Sequence, residues 1–327
     1  MAFRYINPGY GEWIGDSNVT TVENYTYNPE HGVSFQKLAS SDYDDNEISL
    51  PQAFTTDIYA KFNMYLGSRD PTNFLLGAKS NDTSSTALMY TCFGIFFSGS
   101  SACLLAGVGS STTGGIIGKK WVSGVQYNSL NTIQFHIHRG EDAASSFGEL
   151  TINGVTTLLQ FSDTNYRQTF GNDKAFFIHF PTSSIIANSI YISELIVSDE
   201  EISPKEKIIA LPTSETFTNM TAGASGIYIA DAVNQTLLQS VDVTTLIENY
   251  GASSAVTGVA VVGNPAYKTA TGLAALTGIS KIGETVIEHG TCDLSDDTSA
   301  SIVDGWATEN LSIADLQGMQ FGWKAGT

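Results

Sequence analysis

The chain of 327 residues has little positive charge and few cysteines. It contains 15 Lys and Arg residues against 33 Asp and Glu residues, which gives a net charge of −18. A charge of this sign repels the phosphates of nucleic acids and of anionic lipid surfaces, so nucleic-acid binding is not expected. The 3 cysteines are an odd number without a paired framework. We therefore expect buried free thiols rather than disulfides.

The sequence also lacks a long uninterrupted apolar run. No charged residue lies between Asp82 and Lys119, but Ser, Thr and Gly interrupt this stretch too often for a membrane helix of about 20 apolar residues. The opening residues lack the basic and then apolar pattern of a signal peptide. We expect a protein that folds where it is made and does not insert into a membrane.

Period-two alternation of apolar and polar residues is the main pattern that is present. Residues 58–66 and 132–138 alternate in this way, and each segment predicts a half-buried strand. Asn153-Gly154 stands between two strand patterns and predicts a hairpin with a type I′ turn. About a dozen such short strands predict an all-β fold in which two sheets form a sandwich.

The pattern changes after residue 197. Ser203-Pro204-Lys205-Glu206 has the residues of a helix N-terminus with a capping box, and predicts a short helix over residues 203–211. Two further short helices are predicted near residues 244–250 and 312–317. The predicted organisation has four parts: an N-terminal arm (1–32), a jelly-roll domain (33–211), a linker rich in Thr, Ser and Gly (212–226), and a smaller β-sandwich domain (227–327).

Two groups of residues are candidate metal ligands. Asp42, Asp44 and Asp45 belong to the densest acidic cluster and predict a calcium site, since calcium prefers oxygen ligands. A solvated loop is the favoured interpretation of this cluster, because the glycine and the distant glutamate of an EF-hand are lacking. His136 and His138 share one strand face at a spacing that lets two imidazoles bind one metal ion. Alternating polar residues on a solvent-exposed face produce the same spacing, so we expect a solvent-exposed face and keep the metal site as the alternative.

The sequence shows no nucleophile paired with a base and no two carboxylates placed around a scissile bond. Glu194 is the nearest candidate acid on a strand, but it stands alone, so we expect it to make a cross-strand or edge contact. Tyr59 and Tyr65 on the polar side of their strand suit stacking on sugar rings or packing against another subunit. These observations predict neither catalysis nor a cofactor other than calcium.

Two segments resemble a known fold. Leu150-Thr151-Ile152-Asn153-Gly154-Val155, together with the strand pattern of residues 190–197 and the helix that follows it, resembles the closing half of a concanavalin A-like (laminin G-like) jelly roll. The resemblance covers residues 33–211. It implies a fold that serves in lectins, glucanases and structural modules. The glucanase pattern Glu-x-Asp-x-x-Glu is absent, which is a further reason to expect no enzyme.

The C-terminal segment resembles the ending of tailed-bacteriophage virion proteins, in which a tryptophan strand, a short Ser- or Thr-capped helix and a final strand follow one another. Here these parts contain Trp306, Ser312 and Phe321-Gly322-Trp323-Lys324. The opening Tyr5-Ile6-Asn7-Pro8-Gly9-Tyr10 is similar to phage structural proteins that carry such sandwiches.

These resemblances imply a non-enzymatic virion structural protein assembled in the bacterial cytoplasm. The leading expectation is a tail-fibre or appendage subunit, a homotrimer that contacts other virion proteins and a glycan or receptor on the host surface. Alternatives are a capsid decoration or head-fibre protein, and a carbohydrate-active enzyme or lectin of the same jelly-roll fold.

Overall fold

The structure of the protein is a computed structural model. It describes residues 4–7, 25–28, 33–37, 46–48, 56–66, 74–80, 91–98, 101–108, 116–126, 129–160, 176–180, 190–223, 228–263, 273, 275–293 and 302–326. The described residues form strands, short helices and the turns between them. None of their helices is long and apolar enough to cross a membrane.

The strands, in chain order, are β1 (Arg4–Asn7), β2 (Tyr25–Asn28), β3 (Val33–Lys37), β4 (Asn46–Ile48), β5 (Asp57–Leu66), β6 (Phe74–Ser80), β7 (Thr91–Ser98), β8 (Ser101–Val108), β9 (Ile116–Val122), β10 (Ser129–His138), β11 (Phe147–Ile152), β12 (Val155–Gln160), β13 (Phe176–Phe180), β14 (Ile190–Ser198), β15 (Thr213–Thr218), β16 (Thr221–Ala222), β17 (Tyr228–Ile229), β18 (Thr236–Val241), β19 (Ala255–Gly263), β20 (Ala275–Ile282), β21 (Thr285–Asp293), β22 (Ile302–Ser312) and β23 (Met319–Gly326). The helices are α1 (Thr244–Tyr250) and α2 (Ile313–Leu316).

The first 198 residues supply two large antiparallel sheets. The larger sheet has eight strands in the order β12-β11-β10-β5-β14-β3-β2, with β1 pairing separately with β14. The other sheet has six strands in the order β4-β13-β6-β7-β8-β9. Strands adjacent in a sheet are often distant in sequence, as in a jelly roll. The predicted all-β sandwich is confirmed.

The core of the larger sheet lies on one face of β5 and β10. Ile58, Phe62 and Met64 are at most 1% exposed, and the odd-numbered residues of β5 point to the opposite face. On β10, Ile133 and Ile137 are fully buried while the alternate positions are partly exposed. The period-two sequence pattern therefore places one apolar and one polar face on these two central strands.

The hairpin between β11 and β12 has the predicted turn. Asn153 and Gly154 have φ of 50° and 82°, the left-handed region that a type I′ turn requires. The Asn153 side chain holds the turn against the sheet, because its Oδ1 accepts from the Thr132 backbone N–H at 2.9 Å and its Nδ2 donates to the Gly124 carbonyl at 2.8 Å.

The helix predicted over residues 203–211 is absent, and a single turn stands in its place. The capping contacts are present, since the Ser203 N–H donates to Glu206 Oε2 at 3.1 Å. However, the Lys61 ammonium binds the carbonyls of Ser203, Pro204 and Glu206. The Ser203 carbonyl also accepts from the Glu206 backbone N–H at 3.0 Å, which closes the turn. Lys61 therefore fixes this single turn to the sheet.

The remainder of the chain forms a five-stranded sheet in the order β15-β18-β23-β20-β21 and the pair β19-β22. Their facing side chains enclose an apolar cluster that includes Leu246, Ile313, Leu316 and Phe321. Helix α1 lies where the sequence predicted it. Helix α2 has Ser312 as its N-cap residue, as predicted, and Asp315 Oδ2 accepts from the Ser312 N–H at 2.8 Å and from its hydroxyl at 2.6 Å.

Two segments predicted as connections contain strands. The segment predicted as a linker includes β15, whose exposed residues pair with β18, and β16, which pairs with β17. The segment predicted as an arm includes β1 and β2, which belong to the larger sheet. Asp42, Asp44 and Asp45 lie outside the described residues, so the calcium site stays a prediction.

Candidate functional site

The polar side of β5, β10 and β11 forms an open surface, here termed the outward face. Antiparallel pairing aligns its side chains in rows across the three strands. His136 lies opposite Tyr59 on one side and Glu149 on the other, and His138 lies opposite Asp57 and Phe147. The residues of the outward face are Asp57, Tyr59, Lys61, Asn63, Thr132, Gln134, His136, His138, Phe147, Glu149 and Thr151.

One carboxylate oxygen joins two histidines at one end of the outward face. Asp57 Oδ1 lies 2.7 Å from His136 Nε2 and 2.8 Å from His138 Nδ1. The three side chains remain partly open to solvent, with exposed fractions of 28% for Asp57, 19% for His136 and 31% for His138. Asp57, His136 and His138 are termed the His–Asp cluster.

Aromatic rings enclose the His–Asp cluster. The Tyr59 ring stacks on His136 with centroids 4.0 Å apart and an interplanar angle of 11°. Phe147 contacts both histidines, edge-on to His136 and stacked on His138, with centroids 5.2 Å apart in each case. Burial raises the pKa of the Tyr59 hydroxyl, and the negative charges of Asp57, Glu201 and Glu149 raise it further. The cluster therefore lies in a negative environment.

The sequence placed the two histidines on one face but missed their acidic partner. Glu141 and Asp142 were the nearby acids in sequence. Asp142 instead serves its own loop, where its Oδ1 accepts from the Ser145 N–H at 2.9 Å and from the Ser145 hydroxyl at 2.8 Å. Asp57 is 79 residues from His136 and reaches it only through the pairing of β5 with β10. A correct register between the two alternating segments would have identified it.

The other end of the outward face is covered by the segment after β14. Lys61 is 7% exposed and donates to three carbonyls of that segment, among them Pro204 O at 2.7 Å. Gln134 Nε2 donates to the Ile202 carbonyl at 3.4 Å. Burial lowers the pKa of Lys61, while the charges of Glu206 and Glu194 act in the opposite direction.

A pocket of about 220 Å³ lies beside this cover, and Lys61, Asn63, Thr132, Glu194 and Glu206 contribute polar groups to its lining. Glu194 is only 7% exposed and has a φ of 55°, at a bulge where β14 shifts its register against β5. Asn63 Nδ2 donates to Glu194 Oε2. The predicted cross-strand role of Glu194 therefore holds. A positive φ in a bulged strand re-aims the side chain toward the pocket.

Solved structures of carbohydrate-active proteins have a similar fold. They include alginate lyase A1-II′ of polysaccharide lyase family 7, with 14% identity, a TM-score of 0.33, and coverage of 62% of this chain and 81% of that chain. Alginate lyase vAL-1 from Chlorella virus has 10% identity, a TM-score of 0.32, and coverage of 60% and 91%. Galectin LEC-6 of Caenorhabditis elegans has 11% identity, a TM-score of 0.31, and coverage of 48% and 94%.

Similarities of this strength describe the fold alone: an all-β jelly-roll sandwich shared by lyases and a lectin. No family model and no curated protein sequence matches the chain.

The prediction that the protein is not an enzyme is contradicted by these similarities, because enzymes of polysaccharide lyase family 7 have this sandwich. The prediction rested on the lack of a nucleophile paired with a base, on the lack of two facing carboxylates, and on the missing Glu-x-Asp-x-x-Glu pattern. That pattern tests only for hydrolysis by paired carboxylates. Other chemistry that breaks a glycosidic bond leaves no such signature in the sequence.

Proposed function

We propose that the protein is a carbohydrate-active jelly-roll protein that binds a glycan on the outward face, beside the His–Asp cluster. The observation that carries this proposal is the grouping of two aromatic rings, Tyr59 and Phe147, with the hydrogen-bonding groups of the cluster on a partly open sheet surface. The similarity of the fold to alginate lyases and a galectin agrees with it.

The grouping suits a sugar ring on physical grounds. A pyranose presents an apolar face of C–H groups and an edge of hydroxyls. An aromatic ring with a polar neighbour satisfies both. Asp57 accepts hydrogen bonds from sugar hydroxyls, and the imidazoles of His136 and His138 donate or accept according to their tautomer.

The charge of the protein favours an uncharged glycan. Asp57, Glu149 and Glu201 lie close enough to Tyr59 to raise its pKa, and the whole chain carries a net charge of −18. This field repels polyanions such as alginate unless a cation intervenes. We therefore expect neutral polysaccharides to bind more tightly than uronate polymers at low salt.

The His–Asp cluster also supplies groups for acting on a bound glycan. A carboxylate that accepts a hydrogen bond from an imidazole fixes the orientation of the ring. The Asp57–His136 contact at 2.7 Å has this arrangement, and the exposed fraction of His136 leaves it accessible. Proton transfer at a glycosidic centre is the chemistry that such a pair supports.

The test combines binding and cleavage on a panel of neutral and anionic polysaccharides. Affinity is measured by calorimetry and chain length by size-exclusion chromatography. Tyr59→Ala removes one stacking ring, and we expect it to weaken binding about tenfold, which corresponds to about 1.4 kcal/mol. Tyr59→Phe keeps the ring and should retain most of the affinity.

Trp121→Ala is the matched control, because Trp121 is a 59% exposed aromatic residue on the six-stranded sheet. Equal losses for Tyr59→Ala and Trp121→Ala would contradict the assignment of the outward face. Absence of binding to every glycan in the panel would contradict the function.

The place of this activity in a phage particle, as a homotrimeric appendage subunit, remains a proposal from sequence. It is supported by the order of elements at the C-terminus, where β22 with Trp306, the Ser312-capped helix α2 and β23 follow one another as in the virion proteins that the segment resembles. Imaging of particles with a labelled copy of the chain tests it. Absence of the protein from purified particles would contradict it.

A further inference from the structure

We propose that Asp57, His136 and His138 bind a divalent transition-metal ion, with zinc as the ion that this ligand set suits best. The inference concerns the same cluster as the proposed glycan site but does not depend on glycan binding. Two imidazole nitrogens and one carboxylate oxygen are a common zinc ligand set, whereas calcium requires six to eight oxygens. This proposed site is distinct from the predicted calcium site at Asp42, Asp44 and Asp45.

The ligand atoms are already gathered around one point. His136 Nε2, His138 Nδ1 and Asp57 Oδ1 all lie within 4.8 Å of one another. Ligand atoms of a tetrahedral zinc site with bonds of about 2.05 Å are about 3.3 Å apart. The two observed nitrogen–oxygen separations of 2.7 and 2.8 Å must therefore widen by only about 0.6 Å. Small rotations of partly exposed side chains supply such a change.

The sheet holds the three ligands in register. His136 and His138 are two residues apart on β10 and so point to the same face. Asp57 is the direct cross-strand partner of His138 at the start of β5. A site built on two paired strands needs less ordering on metal binding than one built on a loop.

The aromatic residues restrict the imidazole rings. Tyr59 is stacked on His136, and Phe147 contacts both histidines, so the planes of the rings are set before any ion arrives. A preset ring orientation lowers the entropic cost of coordination. Three protein ligands also leave a fourth tetrahedral position for water or substrate, the arrangement of catalytic rather than structural zinc sites. The partial exposure of all three side chains places that position toward solvent.

The alternative is a cluster in which both imidazoles only donate hydrogen bonds to Asp57. The two cases predict different effects of substitution on zinc affinity. Asp57→Asn keeps the size of the side chain and one hydrogen-bond acceptor, yet it removes an anionic metal ligand. Histidine-to-glutamine changes likewise keep polar groups of similar reach and remove an imidazole nitrogen.

The experiment uses the tag-free full chain freed of metal by chelation. Zinc affinity and stoichiometry are measured by calorimetry and by metal analysis after dialysis. We expect one zinc ion per chain and a higher melting temperature in the presence of zinc. Calcium should not produce this rise through Asp57, His136 and His138. Cobalt substitution provides an independent readout, since intense visible bands distinguish four-coordinate from six-coordinate cobalt.

Asp57→Asn and His136→Gln should each weaken zinc binding by more than about 100-fold. Loss of a residue that only hydrogen-bonds to a metal ligand already lowers metal affinity by about 10–100-fold. His289→Gln is the matched control. His289 is also a strand histidine stacked on an aromatic ring, with its centroid 3.8 Å from that of Trp306, but its Nε2 pairs with the Ser280 hydroxyl at 2.8 Å.

This control should bind zinc as the wild type does. Zinc binding that is absent from the wild type, or that survives in Asp57→Asn, would overturn the proposal. Circular dichroism of each variant verifies that a loss of zinc does not reflect unfolding.

Discussion

Lys61, on the outward face of the larger sheet, binds the segment that follows β14. The sequence offered a good helix start at residues 203–206, and the capping contact between Ser203 and Glu206 is made. The ammonium of Lys61, 142 residues earlier in the chain than Ser203, donates to three carbonyls of the single turn and holds it against the sheet. The local sequence predicted the capping contact correctly, but the segment forms a single turn bound by Lys61 and not a helix.

Replacement of Lys61 with methionine tests this role. Met keeps the aliphatic stem but leaves the carbonyls of Ser203, Pro204 and Glu206 without the charged donor. Because hydrogen bonds to a charged group contribute about 1.5–3 kcal/mol, we expect Lys61→Met to lower the free energy of unfolding by about 2 kcal/mol in urea titrations. Lys207→Met is the control, since exposed Lys207 lies 5.9 Å from the Tyr250 ring centroid, and its effect should stay within about 0.5 kcal/mol. Equal effects would refute the role of Lys61.

At the scale of elements, the sequence succeeded where the signal is local. Asn153-Gly154 specifies its own turn, and Ser312 with Asp315 specifies the start of α2, because the atoms involved lie within three residues of one another. The His–Asp cluster was missed because its third member depends on the register of β5 against β10, and period-two alternation fixes faces but not registers. The exposed strand β15 was predicted as a linker, because its Thr- and Ser-rich residues bury no apolar side.

Gly322 in the middle strand of the five-stranded sheet provides a test at this scale. A Cβ at this position would lie 1.8 Å from the Leu237 carbonyl oxygen in the neighbouring strand β18, so the backbones must separate. We expect Gly322→Ala to lower the free energy of unfolding by about 3 kcal/mol or more, as in severe overpacking. Thermal unfolding measures the change.

Gly318→Ala, four residues earlier, is the control for this test. The nearest atom to its added Cβ is the Asp315 carbonyl oxygen at 4.0 Å, an ordinary contact. Its melting temperature should match that of the wild type. A Gly322→Ala protein as stable as Gly318→Ala would show that β18 and β23 are not packed this closely.

At the scale of the whole molecule, the first strand connects the two parts of the chain. β1 pairs with residues 195–198 of β14 in the larger sheet, and Ile6 within β1 is 6% exposed. Gly305 in β22 lies against it, since a Cβ there would be 3.1–3.3 Å from three Ile6 atoms. The Thr257 hydroxyl also donates to Glu206, and Ile209 and Leu211 pack on the apolar cluster around helices α1 and α2. A linker alone would leave the two sandwiches independent, whereas these contacts predict that they unfold together.

Ile6→Asp tests this coupling, because it places a charge where β1 contacts β22. Burying an unpaired carboxylate is costly, so we expect β1 to leave the surface of β22. Calorimetry of the wild type should show one cooperative transition. Calorimetry of Ile6→Asp should show two transitions, the first of them at a lower temperature than the wild-type transition. Val155→Asp, at a 43% exposed valine beside the Asn153-Gly154 turn, should keep one transition. If Ile6→Asp also unfolds in one transition at the temperature of the wild type, β1 does not couple the two sandwiches.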